Sequence, residues 1–342
     1  MKHSYLTIDY ELFLGLETGS VMDCMINPTN KLMSILSHND SKMTVFWDVL
    51  HYMKLLEYVS IYPNLQNDID HIQHQILDLI ANGHDVQLHL HPHWIDAIYN
   101  GQKWKFLYDH FSLQTLSDDD DVKNIYGLRG CIYQSMNIMK KLIHTKYPNY
   151  RINKFRAGGY KVEPFSRIAS IFKEYGIYVD SSVCPGMYNL HPISSYDFRN
   201  YPINNKYTFD SSPKIEGEGS FIEFPIKTIK LSGVRNLYYK MLRKLKYPNL
   251  EQNRCGKGVA STSRVLNKQS IFRKVYNNLL TRKLEMFTTD SMFPEKFKYI
   301  INQVDDYSVM ILHPKLMNSV NVSVVEAMLK KNLLKLHSLP NS

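Results

Sequence analysis

Three histidines at alternate positions, in Gly83-His84-Asp85-Val86-Gln87-Leu88-His89-Leu90-His91-Pro92-His93-Trp94, carry the clearest capacity for chemistry in this chain. Neutral imidazole is the commonest protein ligand for divalent transition metals. These rings follow a short apolar run that reads as a strand, which puts them at a sheet rim, where metal sites are commonly built. Spacing limits which of them can share one ion. Extended at about 3.3 Å per residue, His89 and His93 would stand roughly 13 Å apart, too far for one metal. Either His89 and His91 chelate from one strand face, or the chain coils at Pro92 and brings His93 back beside His89. Pro92 cannot donate to a ladder, which favours a strand end and the coiled version. A second candidate is Thr7-Ile8-Asp9-Tyr10-Glu11, whose carboxylates at i and i+2 share one face of an extended backbone and could address one ion or one substrate. Arg156, before Ala157-Gly158-Gly159-Tyr160, could hold a carboxylate or bind an oxyanion. Taken singly, each has a plain explanation: stacked histidines, rim acids, an arginine before a turn.

The elements that must position these residues follow from pattern. Ser4–Ile8, Met43–Trp47, Asp85–His89, Lys154–Arg156, Ile177–Asp180, Ile222–Pro225 and Ser308–Leu312 read as strands. Between them, Asn67–Ala81 has Ile69, Ile72, Ile76, Leu77 and Ile80 at helical spacing, and Gly83 is placed as a C-cap. Helices are also expected from Trp47 through Tyr58, up to about Lys146, from Pro164 to Tyr175 with Gly176 closing it, and from Val322 to Lys335. The run Asp118-Asp119-Asp120-Asp121 would suit the positive end of the helix dipole before Lys146. Short strands alternating with helices predict a parallel α/β sheet. The candidate residues, including His313 after the last strand, fall at the carboxyl ends of strands, the edge where such folds assemble sites.

At 342 residues, with 44% hydrophobic and 21% charged residues, the chain is globular and long enough for one large α/β domain. Its net charge of +9 makes an anionic partner worth considering. Cys24, Cys131, Cys184 and Cys255 form no CxxC pair, which argues against a zinc ribbon or a disulfide framework and fits a reducing cytosol. There is no apolar signal core at Met1-Lys2-His3-Ser4-Tyr5 and no run of about 18 apolar residues, so the expectation is a cytoplasmic protein.

In this order the islands resemble the polysaccharide deacetylase family, the NodB-homology carbohydrate esterases. Thr7–Glu11 is similar to the first motif, Gly83-His84-Asp85 with His89 and His93 to the second, and Phe155–Tyr160 to the arginine motif. Val179-Asp180-Ser181-Ser182 resembles the DxS motif, and Leu312-His313 the closing LxH. The variant most resembles deacetylase-like proteins of bacterial surface-polysaccharide clusters. The resemblance implies an irregular (β/α)7-type barrel as a single catalytic domain over 1–342. It assigns Asp9 as general base, Arg156 as its orienting partner and His313 as general acid. Glu11, His89 and His93 become the ligands of one divalent metal, zinc being expected, with His91 as the alternative ligand. Tyr160, Asp180 and Trp94 are expected on the substrate side. Departures are Glu11 where aspartate is usual, His91-Pro92 where a small hydroxyl residue commonly follows the first ligand, and Trp94 in place of proline. The expected substrate is an N-acetylated sugar or glycan, lipid-linked or free.

Residues 227–290 are unlike that family core. From Lys227 to Lys283 they carry Lys227, Lys230, Arg235, Lys240, Arg243, Lys244, Lys246, Arg254, Lys257, Arg264, Lys268, Arg273, Lys274, Arg282 and Lys283 against one acid, Glu251. Val234, Leu237, Tyr238, Met241, Leu242 and Leu245 predict an apolar helical face. It would lie either on an anionic membrane surface or against the barrel. Two other functions compete with the hydrolase: a non-catalytic protein binding glycan or an anionic surface, and an Fe(II) facial-triad enzyme, in which Asp9 and His313 would have no duty. No pattern for nucleic-acid binding is present.

Overall fold

In a computed structural model of the chain, residues 1–191, 195–258 and 283–341 are described. Seven strands form the frame: β1 (Lys2–Tyr10), β2 (Thr44–Asp48), β3 (Asp85–Leu90), β4 (Lys154–Ala157), β5 (Val179–Asp180), β6 (Phe221–Glu223) and β7 (Ser308–Leu312). They pair in parallel in the order β6-β5-β4-β3-β2-β1-β7. Just past β6, Ile226 bridges Val309 of β7, also in parallel, and this contact closes the curl. The architecture is therefore the expected irregular (β/α)7-type barrel. Tyr207–Phe209 adds an antiparallel edge to β6, and Leu334–His337 pairs β1 beside the start of β2.

Period-2 alternation sets which side chains meet. Leu6, Ile8 and Tyr10 of β1, Val45 and Trp47 of β2, and Val86, Leu88 and Leu90 of β3 belong to the large core under the helices. The alternate residues face inward. Phe46 of β2, Val179 of β5, and Val309 and Ile311 of β7 pack together although their strands are not neighbours. That is contact across a barrel interior. Asp9, Asp48, His89 and Arg156 share the parity of this inner face.

The surrounding helices are α1 (Asn27–Ser37), α2 (Val49–Tyr58), α3 (Leu65–Ala81), α4 (Leu128–Ile143), α5 (Ser166–Tyr175), α6 (Gly233–Lys246), α7 (Pro294–Ile301) and α8 (Ser319–Lys330). Gly176 ends α5 at φ 78°, a backbone region open to glycine without penalty. No described helix is long and apolar enough to cross a membrane.

Two expectations from pattern are corrected. The aspartate run does not cap a helix, because α4 starts only at Leu128. Asp118 and Asp120 instead bind Arg167 and Arg129 at 2.7 and 2.9 Å. The closing helix stops at Lys330, and Leu334-Lys335-Leu336-His337, with its own alternation, is a strand. Within the basic region, α6 is helical and residues 228–231 pair with 283–286 as a hairpin. Arg264, Lys268, Arg273, Lys274 and Arg282 lie outside the described residues.

Candidate active site

Arg156 anchors the site. Its side chain is fully buried, with Nη1 donating to Asp9 Oδ1 at 2.6 Å, Nη2 to Thr7 Oγ1 and Ser181 Oγ at 2.9 Å each, and Nε to Ser181 O at 2.7 Å. Phe46 lies beneath the guanidinium at 4.3 Å. Removing one partner from such a pair leaves a buried charge and costs about 3–5 kcal/mol. Burial opposes ionisation of Asp9, but Arg156, aided by His313, outweighs it and holds the carboxyl well below its usual range.

His313 sits on the opposite side of Asp9, its Nε2 being 3.5 Å from Asp9 Oδ2 and 3.8 Å from Glu11 Oε1. Asp290 accepts from His313 Nδ1 at 2.7 Å and from its backbone N–H at 3.1 Å. Burial favours the neutral ring, yet Asp290 and Asp9 override it and push the imidazolium up to about 10. The site thus sets an ionised carboxylate beside a protonated imidazole near neutral pH.

The imidazoles resolve by parity. His89 and His91 lie on the inner face, with Nε2 atoms 3.4 and 2.6 Å from Glu11 Oε2. His89 Nδ1 donates to the Arg156 carbonyl at 2.8 Å, which leaves Nε2 as the lone-pair nitrogen. Glu11 Oε1 accepts from Lys315 Nζ at 2.8 Å, while Lys315 also binds Leu12 O at 2.7 Å. Burial opposes the charge on Glu11, but Lys315 and then His91 hold it well below the usual carboxylate range.

The donor set fits a divalent ion. Glu11, His89 and His91 bring one ligand atom each within 4.8 Å of one another. Despite their closeness, Glu11 Oε2 and His89 Nε2 are buried without an aligned hydrogen bond. Donors about 2.1 Å from a tetrahedral ion stand about 3.4 Å apart, a separation the His89–Glu11 pair already has. His91 would need to withdraw by somewhat under 1 Å. Gly158 allows that ring its place, since a Cβ there would meet Leu90 O at 2.3 Å and His91 Nδ1 at 2.7 Å.

His93 is not in this group. Pro92–Trp94 form a 3-10 turn, and the turn seats the His93 ring between Phe106 and Phe111, centroids 5.1 and 5.5 Å away. Burial, then His91, lower its affinity for a proton well below the ordinary value. The chain does coil at Pro92, but the turn does not return the ring to the Glu11–His89 pair. Trp94 is fully buried against Trp104 and Phe106 and donates to Asp48 Oδ2 at 2.8 Å, so it offers no face to a sugar. Asp180 is buried as well, accepting from Ser182 Oγ at 2.7 Å and Ser182 N at 3.2 Å. Tyr160 is half-buried at φ 64° beside Gly159, and of the expected substrate residues it is the one left partly open.

Residues missed by sequence reasoning are Asp290, Lys315 and Asp48. Asp290 becomes visible only once the 283–286 strand carries the chain back to β7. Lys315 is two residues past His313, and the turn Pro314–Leu316 aims it inward. Asp48 has the inner parity of β2, and burial pushes its carboxyl up to about 6.

No family model and no curated protein matches this sequence. Solved structures do align along nearly the whole chain. A putative polysaccharide deacetylase from Mycobacterium smegmatis is 11% identical, with 98% of this chain and 86% of that chain covered and a TM-score of 0.47. A family 4 carbohydrate esterase from Streptomyces lividans in complex with acetate is 9% identical, covering 98% and 91%, with a TM-score of 0.34. A mutant of a CE4 family pseudoenzyme with restored enzymatic activity is 8% identical, covering 99% and 65%, with a TM-score of 0.39.

Proposed function

We propose that the chain is a metal-dependent hydrolase that removes N-acetyl groups from an amino sugar of a surface polysaccharide or its precursor, with zinc held by Glu11, His89 and His91. A divalent ion bound there would supply acidified water and polarise the acyl oxygen. Asp9 accepts the proton of the attacking water on Oδ2, because Oδ1 is held by Arg156. As the C–N bond breaks, His313 gives its Nε2 proton to the departing amine, with Asp290 holding Nδ1 in place. The products are acetate and the free amino sugar. Lys315 fixes one oxygen of Glu11 so that the other faces the imidazoles, the role a hydrogen-bonded partner plays for a ligating carboxylate. Tyr160 is the proposed substrate contact, and a lipid-linked sugar on the cytoplasmic side is the proposed context.

The observation that carries this reading is convergence: His313 Nε2 lies within 3.8 Å of both the base and the ligating carboxylate. One acyl group can therefore meet acid, base and ion together. Acetate release from a panel of N-acetylated sugars, with and without added zinc, tests it. Equal release by wild type and Asp9→Asn would overturn it. A second reading rests on Lys315, whose ammonium already neutralises Glu11. On that reading the barrel binds glycan without hydrolysing it, and the same panel would show saturable binding and no acetate.

A further inference from the structure

α6 packs only part of its apolar side inward, with Tyr239 and half-buried Leu242 against Leu231, Leu250 and Phe293. Its buried residues are Gly233, Asn236 and Tyr239. Val234, Tyr238, Met241 and Leu245 are instead 66, 55, 57 and 80% exposed. At about 100° per residue these four fall within one narrow stripe, roughly 60° wide. Lys240 and Lys244 flank it on one side, and Arg235 and Lys246 on the other. The helix contains five cations, counting Arg243, and no acid. Arg243 pairs with Glu251 and Lys246 with Glu295.

We propose that this stripe docks α6 flat on an anionic lipid surface. A helix lies in a membrane interface when an apolar stripe is bordered by basic side chains on both sides, the stripe entering the acyl boundary while the cations meet the headgroups. Tyr238 suits that depth, having an apolar ring and a polar tip. A second copy of the chain fits less well, because self-association would bring lysines against lysines on a protein of net charge +9. The hairpin that carries α6 is followed directly by Asp290, so docking would hold the lipid surface near the element that orients His313. This extends the proposed reading to a membrane-borne substrate, but vesicle binding is read without catalysis, and the two stand or fall separately.

The test is co-sedimentation of the full chain with vesicles of phosphatidylcholine alone and of phosphatidylcholine mixed with phosphatidylglycerol. Wild type is expected on the anionic vesicles, with binding that falls as salt rises. Lys240→Glu with Lys244→Glu should weaken it by at least ~10-fold, at about 1 kcal/mol per basic residue near the surface. Met241→Glu with Leu245→Glu should weaken it at low and at high salt alike. Both pairs alter exposed side chains, and circular dichroism checks that the fold persists. Equal binding to neutral and anionic vesicles, or variants that bind like wild type, would overturn the proposal. So would a wild-type dimer in sedimentation velocity that Leu245→Glu converts to monomer.

Discussion

Two pairs of carboxyl groups stand at the carboxyl edge of this barrel, and their surroundings push them in opposite directions. Asp9 and Glu11, from β1, are buried yet surrounded by Arg156, Lys315 and the imidazoles, which keep both ionised. Asp180 and Glu223, register partners on β5 and β6, are just as buried and face each other. Burial raises both, and their mutual repulsion raises Glu223 well above the usual carboxylate range. Ser182 and the Val183 N–H satisfy part of the second pair, and the protonated Glu223 carboxyl donates to Asp180. Location on the sheet edge thus does not decide an acid's charge. Cations delivered by neighbouring elements do, by setting which carboxyl is ionised.

The largest expected effect breaks the first pair. Asp9→Asn removes the base and should lower kcat for acetate release by ~10²–10⁴-fold, the usual contribution of a positioned acid or base. Thermal melting should accompany the assay, because the substitution also leaves Arg156 without its anion. Next comes the ligand set. His91→Ala should weaken zinc binding, measured by calorimetry, by more than ~100-fold, beyond the ~10–100-fold that loss of an outer hydrogen-bond partner costs. His93→Ala should leave zinc affinity within about two-fold and instead lower the melting temperature, since it opens a cavity among Phe106 and Phe111.

The smallest effect concerns the second pair, and its sign follows from linkage. The folded carboxyl of Glu223 titrates above its unfolded value, so the native chain holds a proton that the unfolded chain has released. Stability from this group is complete below the unfolded pKa and is lost as pH rises toward the folded one, by at most about 1.4 kcal/mol per pH unit. Glu223→Gln removes that loss. Urea unfolding should show the variant gaining on wild type from pH 5 to pH 8, with acetate release little changed.

Much of this was legible in strand parity. The inner-face alternation of β1 to β4 places Asp9, His89, His91 and Arg156 together, and the seven frame strands follow the expected apolar runs closely. Where the alternation stops, legibility stops too. The choice between His91 and His93 depended on which way a turn at Pro92 aims a ring, and the aromatic residues 106 and 111 that receive it lie in a segment with no periodic signal. Asp290 reaches His313 through a hairpin pairing between segments more than 50 residues apart. Trp94, expected on the substrate side from the resemblance, is buried against Trp104, a contact that no local pattern foretells. The four aspartates carried a real charge signal, but Asp120 meets Arg129 across the turn before α4 and Asp118 meets Arg167 on α5, pairings that no local rule names.

The most direct test of the central claim is anomalous diffraction from zinc-soaked crystals. One peak is expected, bounded by Glu11 Oε2 and the Nε2 atoms of His89 and His91, with no acetate release from Glu11→Gln crystals redissolved with zinc. A peak held by His93, or acetate released at the wild-type rate with the Glu11 cradle empty, would contradict it.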